Sequence, residues 1–343
     1  MQIKRYIEAF VPVNICNMQC TYCYLEKEVK ERVYELNYSP EFVAKALSRK
    51  RLGGPALINL CAAGETTLLK NMSALVAELL KEGHVLSIVT NGTNTKFFQE
   101  IEELPEEDRK RIFFKFSLHY FELQKMNKTD LFFENIERMK KAGCSFTVEL
   151  TPDDKYLEVK NEIKTLCLEK AGAVCHITVP RNDTTREHKL LSQYTIDELL
   201  EKWQDFDSEL LRFKHSIWEK PRCEYCYAGD WFFTVDLRTG STAQCYEGAS
   251  LHFNIYENIN KKIPFKAVGT KCPSTHCFNG HAFLPLGVIP EFEAPTYNAL
   301  RNRVCEDGSH WVTEEMQDTL SSKLKHANRE YSKLKKWMND KKN

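Results

Sequence analysis

Six β-rich runs alternate with longer helical patterns before Arg181, at a period of roughly 30 residues, and this rhythm restricts the fold more than any other feature of the chain. Strands are expected over residues 6–13, 56–61, 85–90, 112–117, 145–151 and 175–179. Helical patterns occupy residues 40–50, 68–81, 131–141 and 157–170, the third of them stopped by Gly143. Strands that alternate with helices pair in parallel through right-handed crossovers, so an α/β fold on a parallel sheet is predicted. Such sheets carry ligands at the carboxyl ends of their strands, where the loops converge.

The rhythm ends after Arg181. A polar stretch over residues 181–188 leads to a helical pattern at 195–206. Two short runs, 231–236 and 241–245, flank the turn Arg238-Thr239-Gly240 and read as a hairpin. Residues 313–338 read as one charged amphipathic helix. The chain is therefore expected to divide into residues 1–206, a smaller hairpin-containing unit over 207–305, and a C-terminal helix within 306–343.

Lys plus Arg and Asp plus Glu both number 48, giving zero formal net charge. That balance argues against nucleic acid or an anionic membrane as the main partner. The lysines of the tail, Lys333, Lys335, Lys336, Lys341 and Lys342, read as a solvated helix end. No secretory signal is seen at the start, and no apolar run approaches the ~20 residues that span a bilayer. A cytoplasmic protein is expected. Thirteen cysteines in such a chain do not form a disulfide framework, because that compartment keeps thiols reduced. Their grouping is more telling. Cys16, Cys20 and Cys23 sit together, and Cys223, Cys226, Cys245, Cys272 and Cys277 form a second group.

The run Cys16-Asn17-Met18-Gln19-Cys20-Thr21-Tyr22-Cys23 supplies three thiolates from one loop. A four-iron cluster needs four ligands, so three leave one iron open. A zinc knuckle would need a fourth protein ligand, and the next histidine is far off at His84.

This triplet, on the loop after the first strand of a six-fold βα pattern, resembles the radical S-adenosylmethionine (radical SAM) superfamily. The resemblance implies a partial (βα)6 barrel of the TIM type. It also implies a [4Fe–4S] cluster on Cys16, Cys20 and Cys23, with S-adenosylmethionine on the open iron. Electron transfer from the cluster then yields a 5′-deoxyadenosyl radical that takes a hydrogen atom from substrate. Tyr22 occupies the aromatic position that meets the adenine. Ala63-Gly64-Glu65-Thr66 resembles the glycine–glutamate motif that binds the methionine amino group, with Ala63 where a second glycine is commonest. An ammonium needs acceptors, and Glu65 supplies them. Further cofactor contacts are implied for Gly64, Thr66, Thr90, Asn91, Ser117 and His119, and more weakly for Glu149 and Arg181. Each alone has a plainer reading: Glu65 as a helix-start carboxylate, Asn91-Gly92 as a turn, Ser117 and His119 as satisfied polar residues.

The spacing from Cys226 to Gly240 and on to Cys245 resembles the opening of the auxiliary-cluster domains called SPASM or, when shorter, twitch. A hairpin with glycine at its turn brings the cysteines of its two strands close together. A second [4Fe–4S] cluster on Cys226, Cys245, Cys272 and Cys277 is implied, with Cys223 as a fifth candidate. The rival is a zinc site on Cys223, Cys226 and two of Cys245, Cys272, His276, Cys277 and His281.

A fully ligated second cluster suits electron transfer and hence net oxidation, as in an oxidoreductase or maturase. A peptide or protein side chain is the expected substrate, modified by crosslinking or dehydrogenation. The alternative is oxidation or epimerisation of a sugar or other small metabolite; an epimerisation needs a hydrogen donor, for which Cys144, Cys175 and Cys305 are candidates, though each also reads as a small core residue. The first strand starts near Tyr6 and leaves no room for a fused peptide-recognition domain, so a separate recognition protein is a candidate partner. The other expected partner is an electron donor such as flavodoxin or ferredoxin. A reading of another class is a non-catalytic iron–sulfur or zinc scaffold. The aromatic residues Trp231, Phe232 and Phe233 could line a cleft or simply pack a small domain.

Overall fold

The computed structural model of the chain describes residues 1–23, 31–182, 187–247 and 250–342. Residues 183–186 of the polar stretch at 181–188 thus lie outside the described residues. Among the described residues nine strands form one open sheet: β1 Arg5–Phe10, β2 Ala56–Cys61, β3 Val85–Thr90, β4 Ile112–Ser117, β5 Ser145–Leu150, β6 His176–Ile177, β7 Phe232–Asp236, β8 Ser241–Ala243 and β9 Ser250–Asn254. Their order is β6-β5-β4-β3-β2-β1-β7-β8-β9. The pairs from β1 to β6 are parallel, as a partial TIM-type barrel requires.

The alternation of side chains assigns each strand two faces. Ile7, Ala9, Ile58, Leu60, Leu86, Ile88, Phe114, Phe116, Phe146 and Val148 point outward and pack with the crossover helices into one core. The opposite, concave face starts apolar: Tyr6, Leu57, Val85, Phe113 and Phe232 form a second core with Phe283, Leu286, Tyr297 and Leu300 from the C-terminal third. Further along the strands it turns polar. Glu8, Asn59 and Ser87 lie in register across β1, β2 and β3, and Lys115 and Thr147 across β4 and β5. An apolar floor under a polar layer places the chemistry at the carboxyl ends of the strands.

The expected β2, β3 and β4 have the observed bounds. β1 ends at Phe10 rather than residue 13, because Pro12 has no N–H for the ladder. β6 shrinks to two residues, pairing with β5 only at Glu149↔His176 and Leu150↔Ile177. The hairpin forms as β7 and β8, yet β7 also pairs in parallel with β1, from Tyr6↔Phe232 to Phe10↔Asp236. One sheet therefore runs through both halves of the chain. β7 covers an edge of β1 that would otherwise present unpaired backbone groups. The segment expected as one helix over 313–338 is broken into Glu314–Ser321, a 3-10 turn at Leu324–His326 and a helix at Lys333–Lys342. Tertiary bonds override the helical pattern there: Tyr331 N–H donates to Tyr227 Oη at 2.8 Å and Asn328 Nδ2 to Lys4 O at 2.7 Å. Among the described residues no helix is long and apolar enough to cross a membrane.

His84 joins the crossover into β3 to its neighbours and makes acid stability a test of the fold. It is 0% exposed, accepts from Ala56 N–H through Nδ1 at 3.1 Å and faces Leu47 O through Nε2 at 2.9 Å. Those bonds need the neutral ring, and burial pushes it from 6.5 down to about 4. The unfolded chain takes up the proton first as pH falls. Stability is therefore full above about pH 6.5 and declines toward pH 4, by about 3 kcal/mol from this residue. Denaturant melts across that range should show the decline, and His84→Gln should remove about that share of it.

Candidate active site

The three cysteines follow β1 on a loop that the loops after β2, β3 and β4 grip from three sides. The β2 loop continues the ladder past the strand: Gly64 N–H donates to Val13 O at 2.8 Å and Glu65 N–H to Ile15 O at 2.9 Å. The approach is so close that a Cβ on Gly64 would stand 2.0 Å from Ile15 O. Only glycine lets the backbone beside Cys16 lie there.

Glu65 is a clamp between two loops. Its Oε1 accepts from Thr67 N–H at 3.1 Å, Thr67 O–H at 2.6 Å and Thr90 O–H at 2.6 Å, and its Oε2 accepts from Asn91 N–H at 2.7 Å. Burial raises its carboxyl above the ordinary value, against the opposing pull of these four donors. Oε2 has room for one more donor, Oε1 does not. Thr66 is buried at the start of the 3-10 turn Thr66–Leu68 that Glu65 caps.

Asn91 turns toward the cysteine loop. Its Nδ2 donates to Asn17 Oδ1 at 2.7 Å and lies 3.8 Å from Cys16 Sγ, while Asn17 Nδ2 donates to Thr93 Oγ1 at 2.8 Å. From the β4 loop, Glu122 Oε2 accepts from Gln19 N–H at 3.3 Å. Tyr22 Oη lies 2.6 Å from His119 Nδ1 and accepts from Tyr156 O–H at 3.4 Å, so it donates to the imidazole. Burial pushes His119 down to about 4, which keeps the ring neutral and Nδ1 free to accept. Asn17 and Glu122 escaped the sequence reading, as ordinary polar residues with no pattern to mark them.

The thiols of the triplet act on one another. Burial, then Cys16 and Cys23, push Cys20 up to about 12, and burial raises Cys16. Such thiols hold their protons until a metal displaces them. Among the described residues no group of three or more His, Cys, Asp or Glu side chains is drawn together as for a single metal ion. Three thiols on one loop, with no fourth thiol or imidazole among its described residues, fit a multi-iron cluster, whose ligands attach to separate irons.

Ser117 ends β4 opposite Glu149 of β5. Glu149 and Arg181 are drawn away from the cysteine loop. Glu149 Oε1 stands 3.5 Å from Arg301 Nε, and Arg181 lies over the Phe278 ring at 4.4 Å and donates to Asn279 Oδ1. The concave face adds a network that sequence reasoning missed: Glu8 accepts from Tyr6 O–H at 2.5 Å, Asn59 Nδ2 at 2.8 Å and the Cys61 thiol at 3.2 Å. Cys144, Cys175 and Cys305 are buried in the outer core.

In the second group, burial pushes the Cys226 thiol well up, with Cys245, Cys277 and Cys272 adding to it. Cys277 rises to about 12 by burial and then through Cys272 and Cys245. Paired backbone bonds between Cys226 and Gly269, at 3.0 and 2.9 Å, bring the strand entry beside the loop of Cys272. Gly240 turns the hairpin at φ 78°, where a Cβ would stand 2.1 Å from Asn254 Oδ1. Cys223 is exposed. The hairpin and the last loops thus bring Cys226, Cys245, Cys272 and Cys277 into one neighbourhood.

Residues 10–152 match the sequence model of the Radical SAM superfamily. No curated protein matches the chain in sequence. Among solved structures, the fold is similar to Streptococcus suis SuiB bound to S-adenosylmethionine, with TM-score 0.53 and 13% identity over 75% of this chain and 65% of that one. SuiB bound to precursor peptide SuiA gives 0.52 and 14% over 79% and 70%. A histidine-tagged anSMEcpe with bound AdoMet gives 0.50 and 17% over 74% and 78%. The chain spans about 65% of the length of the first SuiB structure, and the likeness is one of fold.

Proposed function

We propose, from the match of residues 10–152 to the radical SAM superfamily, that the chain cleaves S-adenosylmethionine reductively and takes a hydrogen atom from a peptide or protein substrate, ending in net oxidation. The observation that carries this reading is the loop of Cys16, Cys20 and Cys23, three thiols braced by three neighbouring loops. A [4Fe–4S] cluster held by these thiols supplies the electron that splits the sulfonium of S-adenosylmethionine.

The residues of the chain do the rest of the positioning. Gly64 lets the loop close, Glu65 and Asn91 lock two strand ends to it, and Tyr22 holds its ring against His119. Glu65 Oε2 keeps acceptor capacity for the ammonium of the methionine moiety. The four grouped thiols, Cys226, Cys245, Cys272 and Cys277, support a second cluster of the SPASM or twitch kind that accepts the second electron. Residues 1–206 then hold the radical machinery and 207–305 the second cluster. A flavodoxin- or ferredoxin-like donor would reduce the cluster on Cys16, Cys20 and Cys23, and a separate protein could present the peptide. The peptide class gains support from the fold shared with SuiB, which was solved with its precursor peptide SuiA. The polar concave face favours a second reading, a small polar metabolite as substrate.

Anaerobic reconstitution, reduction and addition of S-adenosylmethionine should yield 5′-deoxyadenosine. Cys20→Ala should abolish it, and Cys245→Ala should keep some cofactor cleavage but stop substrate turnover. No 5′-deoxyadenosine from a protein with its iron sites filled would overturn the reading in favour of a scaffold.

A further inference from the structure

Above its apolar floor, the concave face carries buried polar atoms that the described residues do not satisfy. Asn59 Oδ1, Ser87 Oγ, Thr147 Oγ1 and Glu149 Oε1 have no hydrogen-bond partner among the described residues. Neither have Nε and Nη1 of Arg301, whose side chain is 0% exposed. Native interiors leave few such atoms, and several on one face call for a ligand or ordered water.

Arg301 is the sharpest case. A guanidinium offers five N–H donors in a planar fork. Arg301 uses Nη2 in a 3.3 Å bond to His281 O and lies over the Tyr297 ring with Cζ 3.8 Å from its centre. Glu149 Oε1 stands 3.5 Å from Nε, longer than a charge-assisted hydrogen bond. Lys115, on the same face of β4, has no ion pair or hydrogen bond among the described residues. Both cations act on the His281 imidazole, as do Lys214 and Arg181, and this convergence marks a region rich in positive charge. Glu8, on the same face, is a carboxylate whose hydrogen-bond capacity is taken by Tyr6, Asn59 and Cys61, and its charge stands against these cations.

We infer that this face seats an oxyanion of the substrate, a carboxylate or a phosphate, with Arg301 as its forked partner and Lys115 as the second cation. Glu149 competes for the Nε edge of the same guanidinium. The inference rests on the radical reading only for naming the ligand as substrate.

The test is thermal unfolding of the reconstituted full chain at constant ionic strength, with sodium acetate or inorganic phosphate replacing chloride. Binding raises the unfolding temperature with anion concentration. A response to acetate assigns a carboxylate, and a response to phosphate alone assigns a phosphate. Arg301→Met should weaken the apparent affinity by about tenfold or more, Lys115→Met should weaken it less, and Glu149→Gln should strengthen it. No response to either anion, or an equal response in all variants, would overturn the inference. Should Arg301→Met fail to fold, Lys115→Met and Glu149→Gln decide, and unchanged responses in both overturn it. Formation of 5′-deoxyadenosine by the wild-type protein in the same preparation reports on the radical reading separately.

Discussion

Gly64→Ala should cost the protein its first cluster and lower 5′-deoxyadenosine formation by about a hundredfold, equivalent to about 2.7 kcal/mol in the barrier. The added Cβ would lie 2.0 Å from Ile15 O, 2.6 Å from its carbonyl carbon and 2.8 Å from its nitrogen. These are backbone atoms, so no rotamer change relieves the clash. The loop must withdraw, breaking the bonds from Gly64 N–H to Val13 O and from Glu65 N–H to Ile15 O, and Cys16 moves with its neighbour. The two cores do not involve this contact, so the variant should still fold. Gly143→Ala is the matched control: it sits at φ 83° with nothing within 4 Å of the added Cβ. It should lose about 1 kcal/mol of stability through backbone strain and keep its iron. Iron and sulfide content per chain is the direct readout. Wild-type iron in Gly64→Ala would show that the close approach does not shape the cysteine loop.

Glu65→Ala should lower the stability of the metal-free protein by on the order of 3–5 kcal/mol. The side chain is 3% exposed and satisfies two backbone N–H groups and two hydroxyls. Truncation leaves those donors facing a cavity that water enters poorly, and each unsatisfied buried group costs about 1–3 kcal/mol. Glu65→Gln should cost less, about 1–3 kcal/mol, because its oxygen can still serve Thr67 and Thr90 while its NH2 meets the N–H of Asn91. Denaturant melts of the cluster-free chain measure both. A residue that served only the cofactor would leave those melts at the wild-type midpoint, which would refute the clamp.

Much of this site is readable in the linear chain. The cysteine spacing and the residues after the second, third and fourth strands, Gly64-Glu65, Thr90-Asn91 and His119, converge in space because each follows a strand of one parallel sheet. Their tasks are less readable. Glu65 and Asn91 were expected to face the cofactor, and most of their bonds instead hold the loops together. Asn17 and Glu122 carry no signature, since their value depends on which loops end up adjacent. Glu8 and Cys61 look like single interruptions in apolar strands, and only the register reveals that they share a face.

The local pattern determined the parallel sheet, the bounds of β2 to β4 and the three-thiol loop, because periodicity and spacing act between near neighbours in the chain. The tertiary structure alone decided that β7 extends the sheet beside β1, that Arg301 enters the concave face beside Glu149, and that Cys226 lies within electrostatic reach of Cys245, Cys272 and Cys277. Those outcomes rest on burial and pairing between segments far apart in the chain, and no local pattern encodes which distant edge, charge or thiol will satisfy them.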